Sequence, residues 1–372
     1  MSAPSPHEAE RYVGLMSGTS LDGVDAVLAE IGVDAQVRTL RTHYLPYPDA
    51  LREQLLALHA PQADEIHLAA CAGNALAHLY ADAVDAILNE GERGGVRAIG
   101  CHGQTLRHRP ADGYTLQIGN AAALAELTGI TVIADFRSRD IAAGGQGAPL
   151  VPAFHAAVLS RPGSHRVIAN IGGIANVTDL PRGGMVRGWD TGPGNMLMDA
   201  WIQRHHGTRY DRDGAWAASG RIHPVLFDAL AAHPYLPPPP PKSAGREQFN
   251  LPWLDAMLQR LGVAIAPADV QATLLEFTAA SLAGAIRREC TGAESVHVCG
   301  GGAHNTALMR RLAALLPGVE VDTTAALGVD PDWVEALAFA WLARQTLHHL
   351  PGNLPAVTGA RGPRILGAIH RA

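Results

Sequence analysis

The segment Tyr12-Val-Gly-Leu-Met-Ser-Gly-Thr-Ser-Leu-Asp-Gly-Val-Asp-Ala-Val-Leu-Ala-Glu-Ile31 decides the fold. Residues 12–16 form an apolar run, residues 17–23 are small and polar, and from Val24 the chain alternates through Ala26, Leu28 and Glu30. Two strands joined by a glycine-flanked turn that ends in Asp-Gly make a β-hairpin. The second half of the chain opens in the same way without repeating the sequence: a strand over 167–171, Gly172-Gly173, then a strand over 174–180. Helical periodicity covers 50–58 and 66–88, where Leu68, Cys71, Ala75, Leu79 and Val84 share a stripe. Short strands are expected over 97–101, 131–135 and 295–298. Further helices are expected from Asn195 onward and over 269–288, 306–315 and 332–344, with five consecutive prolines over 237–241 marking an extended insertion. Strands alternating with helices in two halves, each opening on a hairpin, predict an α/β protein of two similar lobes.

The 372 residues suffice for about two domains. With 29 Lys+Arg, 35 Asp+Glu and a net charge of −6, the chain has no basic run for bulk nucleic-acid binding. Hydrophobic residues make up 47% and charged residues 17%, which supports a packed core rather than disorder. Cys71, Cys101, Cys290 and Cys299 are scattered with no CxxC pair, as suits a reducing compartment. The first ten residues lack the basic start and apolar run of a signal peptide, and later apolar stretches are broken before spanning length. A cytoplasmic protein with neither membrane nor nucleic-acid partners is therefore expected. The histidine pairs His205-His206 and His348-His349 lack the i,i+4 spacing of two metal ligands on a helix, so no zinc site is expected.

Four glycine-rich loops are each read as following an apolar strand, at 18–23, 172–173, 188–195 and 300–302. Glycine lets backbone approach a ligand and aim several N–H groups at one anion. Neither a GxxxxGK[ST] loop nor a helix-opening GxGxxG is present, and a glycine at a strand end is often turn chemistry alone. Hydroxyls and carboxylates lie in the same loops, however: Ser17, Thr19, Ser20, Asp22 and Asp25 in the first, Asp190, Thr191 and Asn195 in the third. Phosphoryl transfer needs donors around the phosphates, a carboxylate for Mg²⁺ and a carboxylate base near the acceptor. Asp22 and Asp25 suit Mg²⁺, Asp22 also reading simply as a turn residue. Asp190, ahead of Gly192-Pro-Gly194, reads as a base or as an Asx turn feeding the next helix.

Gly14-Leu-Met-Ser-Gly-Thr-Ser-Leu-Asp-Gly-Val-Asp25, Cys101-His-Gly-Gln-Thr105, Asn170-Ile-Gly-Gly-Ile-Ala-Asn176, Gly188-Trp-Asp-Thr-Gly-Pro-Gly-Asn195 and Val298-Cys-Gly-Gly-Gly-Ala-His-Asn305 together resemble the motifs of the anhydro-N-acetylmuramic acid kinase family. Pro241-Lys-Ser-Ala-Gly-Arg-Glu247, Pro331-Asp-Trp-Val-Glu-Ala-Leu-Ala-Phe-Ala340 and Asn353-Leu-Pro-Ala-Val-Thr-Gly-Ala360 extend the likeness in order to the C-terminus. The resemblance implies a two-lobed actin/hexokinase/Hsp70-like ATPase fold with a central cleft, in which the lobes close over ATP. We place the first lobe at 1–140 rejoined by 345–372 and the second at 141–344.

By the same resemblance, Gly18, Thr19, Ser20, Leu21, Asp22, Gly23, Val24 and Asp25 would surround the ATP γ-phosphate. Gly172, Gly173 and Asn176 would form a second phosphate hairpin, and Gly300, Gly301 and Gly302 would lie beside adenosine. Asp190 would be the catalytic base, while Asp22 is the metal candidate on its own chemistry. The implied reaction opens the 1,6-anhydro ring of 1,6-anhydro-N-acetylmuramic acid with water while ATP phosphorylates the released O6, in cell-wall recycling. Arg137 and Glu335 would contact the sugar. An Arg fork suits its lactyl carboxylate, and Asp135, Arg139 and Asp140 stand in the same stretch, with surface ion pairs as the plain reading. His102 and Gln104, just past a strand, are expected to line the cleft as further sugar contacts. Lys242, Ser243, Arg246 and Glu247 read either as a loop at its mouth or as solvated surface. The family also admits a homodimer. The competing readings are an ATP-driven conformational protein and a non-catalytic sugar sensor, both of which would normally carry a further partner-binding segment.

Overall fold

The opening hairpin forms as expected: Glu10–Met16 (β1) runs antiparallel to Gly23–Ile31 (β2), with Met16 opposite Asp25. The last five residues of β1 are all buried, as a strand covered on both faces requires. Val37–Pro46 (β3) continues the antiparallel pairing on β2, a strand not expected from the sequence. Val96–Cys101 (β4) pairs parallel to β1. Gln104–Arg109 (β5) and Tyr114–Ile118 (β6) form a hairpin of their own, and Val132–Ala134 (β7) lies parallel to β4. The computed structural model describes residues 9–372 apart from Thr19, Asp34, Ala35, Arg246 and Glu247.

The plan then repeats. Arg166–Ile171 (β8), Ile174–Leu180 (β9) and Arg187–Pro193 (β10) are antiparallel, while Ser295–Cys299 (β11) and Glu320–Thr323 (β12) extend the sheet in parallel from β8. Ala368–His370 (β13) closes the edge of the first sheet on β7. The sheet orders are β13-β7-β4-β1-β2-β3 and β10-β9-β8-β11-β12, so each sheet carries three antiparallel strands followed by two parallel ones, with β13 added antiparallel at the edge of the first. Two units share this α/β plan, as the expected actin/hexokinase/Hsp70-like class requires. One comprises Met1–Leu159 with Trp333–Ala372, the other Ser160–Asp332.

In the first unit the helix Glu65–Ile87 buries Ala72, Leu76, Tyr80, Val84 and Ile87, at the three- and four-residue spacing of one helical face. The helix Val334–Leu347 also belongs to this unit, so the return of the chain precedes that helix instead of following it. Glycines explain why it docks there. A Cβ on Gly14 of β1 would lie 1.8 Å from the Ala336 carbonyl oxygen, and one on Gly100 of β4 would lie 2.0 Å from that of Phe339. Only glycine lets helix backbone sit this closely on the two central strands. In the second unit Pro267–Glu289 starts with proline in its first turn, where no N–H is lost, and buries Val270, Leu274, Phe277 and Leu282 in the core.

Candidate active site

The first unit gathers one group of polar residues. The turn between β1 and β2 closes with the Leu21 N–H donating to Gly18 O at 3.3 Å, and Leu21, not a glycine, takes the left-handed conformation at φ 56°. Leu21 and Val24 are buried, with their side chains in the core of this unit. Gly23 begins β2 and is required there by close approach, since a Cβ would stand 2.5 Å from Leu45 O. Ser20 and Asp22 are exposed, with the Ser20 hydroxyl donating to Asp22 Oδ1 at 2.6 Å, while the Asp22 carbonyl accepts from Tyr44 OH and the Tyr47 N–H. Asp25 is half-buried, and Thr19 lies outside the described residues.

Arg137 sits at the start of the short helix Ser138–Ala142, where its Nη1 donates to Gly147 O at 2.9 Å. Asp140 is fully buried and binds that same segment from the other side. Its Oδ2 accepts from the Gly147 N–H, and its Oδ1 accepts from Asn353 Nδ2 at 2.6 Å and Thr358 Oγ1 at 2.8 Å. Asp140 is therefore a strut that ties the C-terminal segment to the loop holding Arg137, with no oxygen turned to a ligand. Asp135 is exposed in a left-handed turn, and Arg139 is exposed. Glu335 stands half-buried in the first turn of Val334–Leu347. Burial raises its pKa, and the positive charge of Arg137 works against that rise. Burial likewise lowers Arg137 to about 10, with Glu335 and Asp140 opposing the shift. A cation and a carboxyl group that sense each other in a partly dry setting can together grip a carboxylate and a hydroxyl or amide. His102 and Gln104 are buried, and their polar atoms are spent on internal partners.

The second unit brings three of the four glycine segments together. Asn195 N–H donates to Gly172 O at 2.8 Å and Gly194 N–H to Gly173 O at 2.9 Å, while Asn195 Nδ2 reaches Ile171 O. A Cβ on Gly194 would lie 2.2 Å from Gly172 O, one on Gly300 2.4 Å from Asn170 Oδ1, and one on Gly302 2.4 Å from the Ile171 side chain. The turn at 172–173, the start of the helix Met196–His206 and the 300–302 segment thus meet at the end of β8, with the N–H groups of 194–196 closed onto the carbonyls of Gly172 and Gly173. Asn176 pairs with Asn170 on one side and Asp190 on the other.

The segment 188–195 is largely strand rather than loop. Trp189 and Thr191 are buried and the ladder to β9 holds as far as Pro193, with a register shift between Asp190 and Gly192. The shift presents Asp190 at an irregularity of an edge strand. Asp190 Oδ2 accepts from Ser243 Oγ at 3.0 Å and from the Ala244 N–H at 2.9 Å. Its backbone is clamped as well, the carbonyl by Tyr235 OH at 2.7 Å and the N–H by Lys242 O at 3.2 Å. Lys242 Nζ turns away to the carbonyls of Tyr235 and Leu236 and lies over the Tyr235 ring. Burial raises the Asp190 pKa, and the two hydrogen bonds hold part of that rise back. Segment 235–245 is thus the wrapping of Asp190; Arg246 and Glu247 fall outside the described residues.

Asp199 was not singled out from the sequence. One helical turn after Asn195, half-buried and near Asp211, it is pushed up to about 7 by burial and then by that neighbour's charge. An Asp in the first turn of a helix looks ordinary in a sequence, and only the burial marks this one. Among the described residues no three His, Cys, Asp or Glu side chains cluster as a metal cage.

The model of the family described as anhydro-N-acetylmuramic acid kinase matches residues 10–372. A protein of that name from Thiobacillus denitrificans is 72% identical over 372 residues, covering 100% of both chains. A second, from Nitrosospira multiformis, is 56% identical and covers 98% of this chain and 100% of its own. Among solved structures, the activator of the 2-hydroxyisocaproyl-CoA dehydratase from Clostridium difficile aligns with a TM-score of 0.44 at 12% identity, covering 91% of this chain and 98% of that one.

Proposed function

The chain belongs to the anhydro-N-acetylmuramic acid kinase family and is a kinase, and from that premise we propose that it opens the 1,6-anhydro ring of 1,6-anhydro-N-acetylmuramic acid and phosphorylates the freed O6. Water attacks C1, Asp190 takes the proton from that water, and the C1–O6 bond breaks. O6 accepts the γ-phosphoryl group of ATP, leaving N-acetylmuramic acid 6-phosphate and ADP. The observation that carries this reading is the environment of Asp190. Its carboxylate is held at one oxygen by two donors, carries no cationic partner among the described residues, and has a pKa raised by burial.

Arg137 is suited to the lactyl carboxylate and Glu335 to a sugar hydroxyl or amide. The backbone of Gly18, of Gly172 and Gly173 and of Gly301 and Gly302 is suited to supply N–H groups for the nucleotide. Asp22 and the Ser20 hydroxyl are hard oxygen donors, and a single exposed carboxylate fits a Mg²⁺ held mainly by phosphate and water oxygens. When bound, Mg²⁺ would neutralise charge on the transferring phosphoryl group. The product places the enzyme in the recovery of cell-wall sugar.

Asp190→Asn tests the assignment. The variant keeps the size of the side chain and a polar group for Ser243, so ATP and sugar dissociation constants should stay within about threefold, while turnover falls by about two to four orders of magnitude. In the wild type the acid limb of the kcat profile should lie above the ordinary aspartate value of 3.8, because the base must be ionised to act. A fully active variant removes Asp190 from the mechanism.

A further inference from the structure

His102 and Gln104 face inward, and what they bind there is informative. A guanidinium carries donors only, and Arg137 places Nη2 at 2.9 Å and Nε at 3.3 Å from His102 Nε2. Nε2 is therefore the unprotonated nitrogen, so the ring proton is on Nδ1, which donates to Ser17 O at 3.1 Å. The ring packs against Phe339 at a centroid distance of 4.8 Å. Burial, and then the charge of Arg137, hold the imidazole neutral by lowering its pKa to about 3. Gln104 is fully buried, its Nε2 donating to Gly18 O at 3.0 Å and its Oε1 accepting from Tyr47 OH at 3.0 Å. The Ser17 hydroxyl donates to Gly103 O, which makes Tyr80 OH the donor in its 2.7 Å bond to Ser17 Oγ.

Two successive carbonyls at the start of the 17–22 turn are thus pinned inward by side chains from one short segment. In a planar trans peptide the C=O and the following N–H point in opposite directions, so pinning Ser17 O inward aims the Gly18 N–H outward. We infer that His102 and Gln104 are positioning residues that join Arg137 and the 17–22 turn into one hydrogen-bonded unit, through which one imidazole sets both the sugar-side cation and the phosphate-side backbone. The inference rests on the proposed function, in which Arg137 meets the sugar and the turn meets phosphate.

The two ring nitrogens can be removed separately. An asparagine amide occupies the place of Nδ1 and a glutamine amide that of Nε2. His102→Asn should keep the bond to Ser17 and lose the one to Arg137, raising the sugar KM about tenfold with the ATP KM within about twofold. His102→Gln should do the reverse, raising the ATP KM and sparing the sugar KM. Tyr47→Phe, which loosens only the Gln104 anchor, should raise the ATP KM about threefold and leave the sugar KM alone; it keeps the test open if His102 variants fail to fold. If both His102 variants raise only the sugar KM, His102 is a direct sugar contact and the inference is wrong. It is equally wrong if melting temperature falls with both KM values unchanged, or if Tyr47→Phe moves the sugar KM. Wild-type protein without sugar-dependent ADP release would instead overturn the proposed function.

Discussion

Asp190 and Asp199 carry the same electrostatic signature from the same first cause. Each has a pKa raised first by burial; at Asp190 two hydrogen bonds oppose the rise, whereas at Asp199 the charge of Asp211 adds to it. An acid whose folded pKa exceeds its unfolded value holds more protons when folded. Its unfavourable contribution is absent below the unfolded pKa and grows as pH rises through the folded one. For Asp199 that window runs from about 3.8 to about 7. Asp199→Asn should therefore melt above the wild type at pH 8, with the difference closing towards pH 4. Thermal melts across that range check this, and an Asn variant that melts lower at pH 8 contradicts it. Asp190 was singled out in the sequence because glycines follow it, whereas its burial and its bonds to Ser243 and Ala244 were not readable there. Asp199 was not, because its chemistry comes from burial against residues that are remote in sequence. His102 and Gln104 were legible as important positions but not in direction. Their partners lie 85 and 86 residues away, and no local pattern says whether a side chain after a strand turns to a ligand or to the protein.

At the scale of elements, both hairpins could be read directly, because an apolar run, a glycine turn and an alternating run leave few other solutions. The third strands β3 and β10 were obscured for opposite reasons. β3 alternates half-buried with exposed residues at a sheet edge, while β10 carries Gly188, Gly192 and Pro193, which read as loop. The helix Val334–Leu347 was expected as an element, but its unit was not, because docking is decided by Gly14 and Gly100 on strands more than two hundred residues earlier. Gly14→Ala should cost about 3 kcal/mol or more, since the clash is with helix backbone and no side chain can yield. Gly94→Ala, where a Cβ meets nothing within 4 Å, should change stability by less than about 0.5 kcal/mol. Denaturant titration of the two variants compares them directly. Equal stabilities would show that the helix can lift off β1 without cost.

At the scale of the whole molecule, the two units differ in how the chain builds them. Ser160–Asp332 is continuous and has its own core around Val167, Leu197, Phe249, Phe277 and Leu308. The other unit needs the returning segment from Trp333, which supplies Glu335, the Phe339 packing under His102 and the Asn353 and Thr358 bonds to Asp140. A chain ended at Asp332 should therefore keep slowly exchanging amides in 160–332 and lose them in β1 and β4. Protection retained in both would contradict the role given to the return. That the chain comes back was expected from the resemblance alone, with the crossing placed after the helix Val334–Leu347 instead of before it.

Water-driven ring opening coupled to phosphorylation is read out by ADP release with Mg·ATP and 1,6-anhydro-N-acetylmuramic acid in ¹⁸O-labelled water. N-acetylmuramic acid, N-acetylglucosamine and no sugar serve as comparisons. The expected result is ADP release that depends on the anhydro sugar, and a product carrying one phosphate and one labelled oxygen gained from solvent. ADP released equally without sugar, with no phosphosugar formed, would contradict it and favour a nucleotide-driven conformational protein.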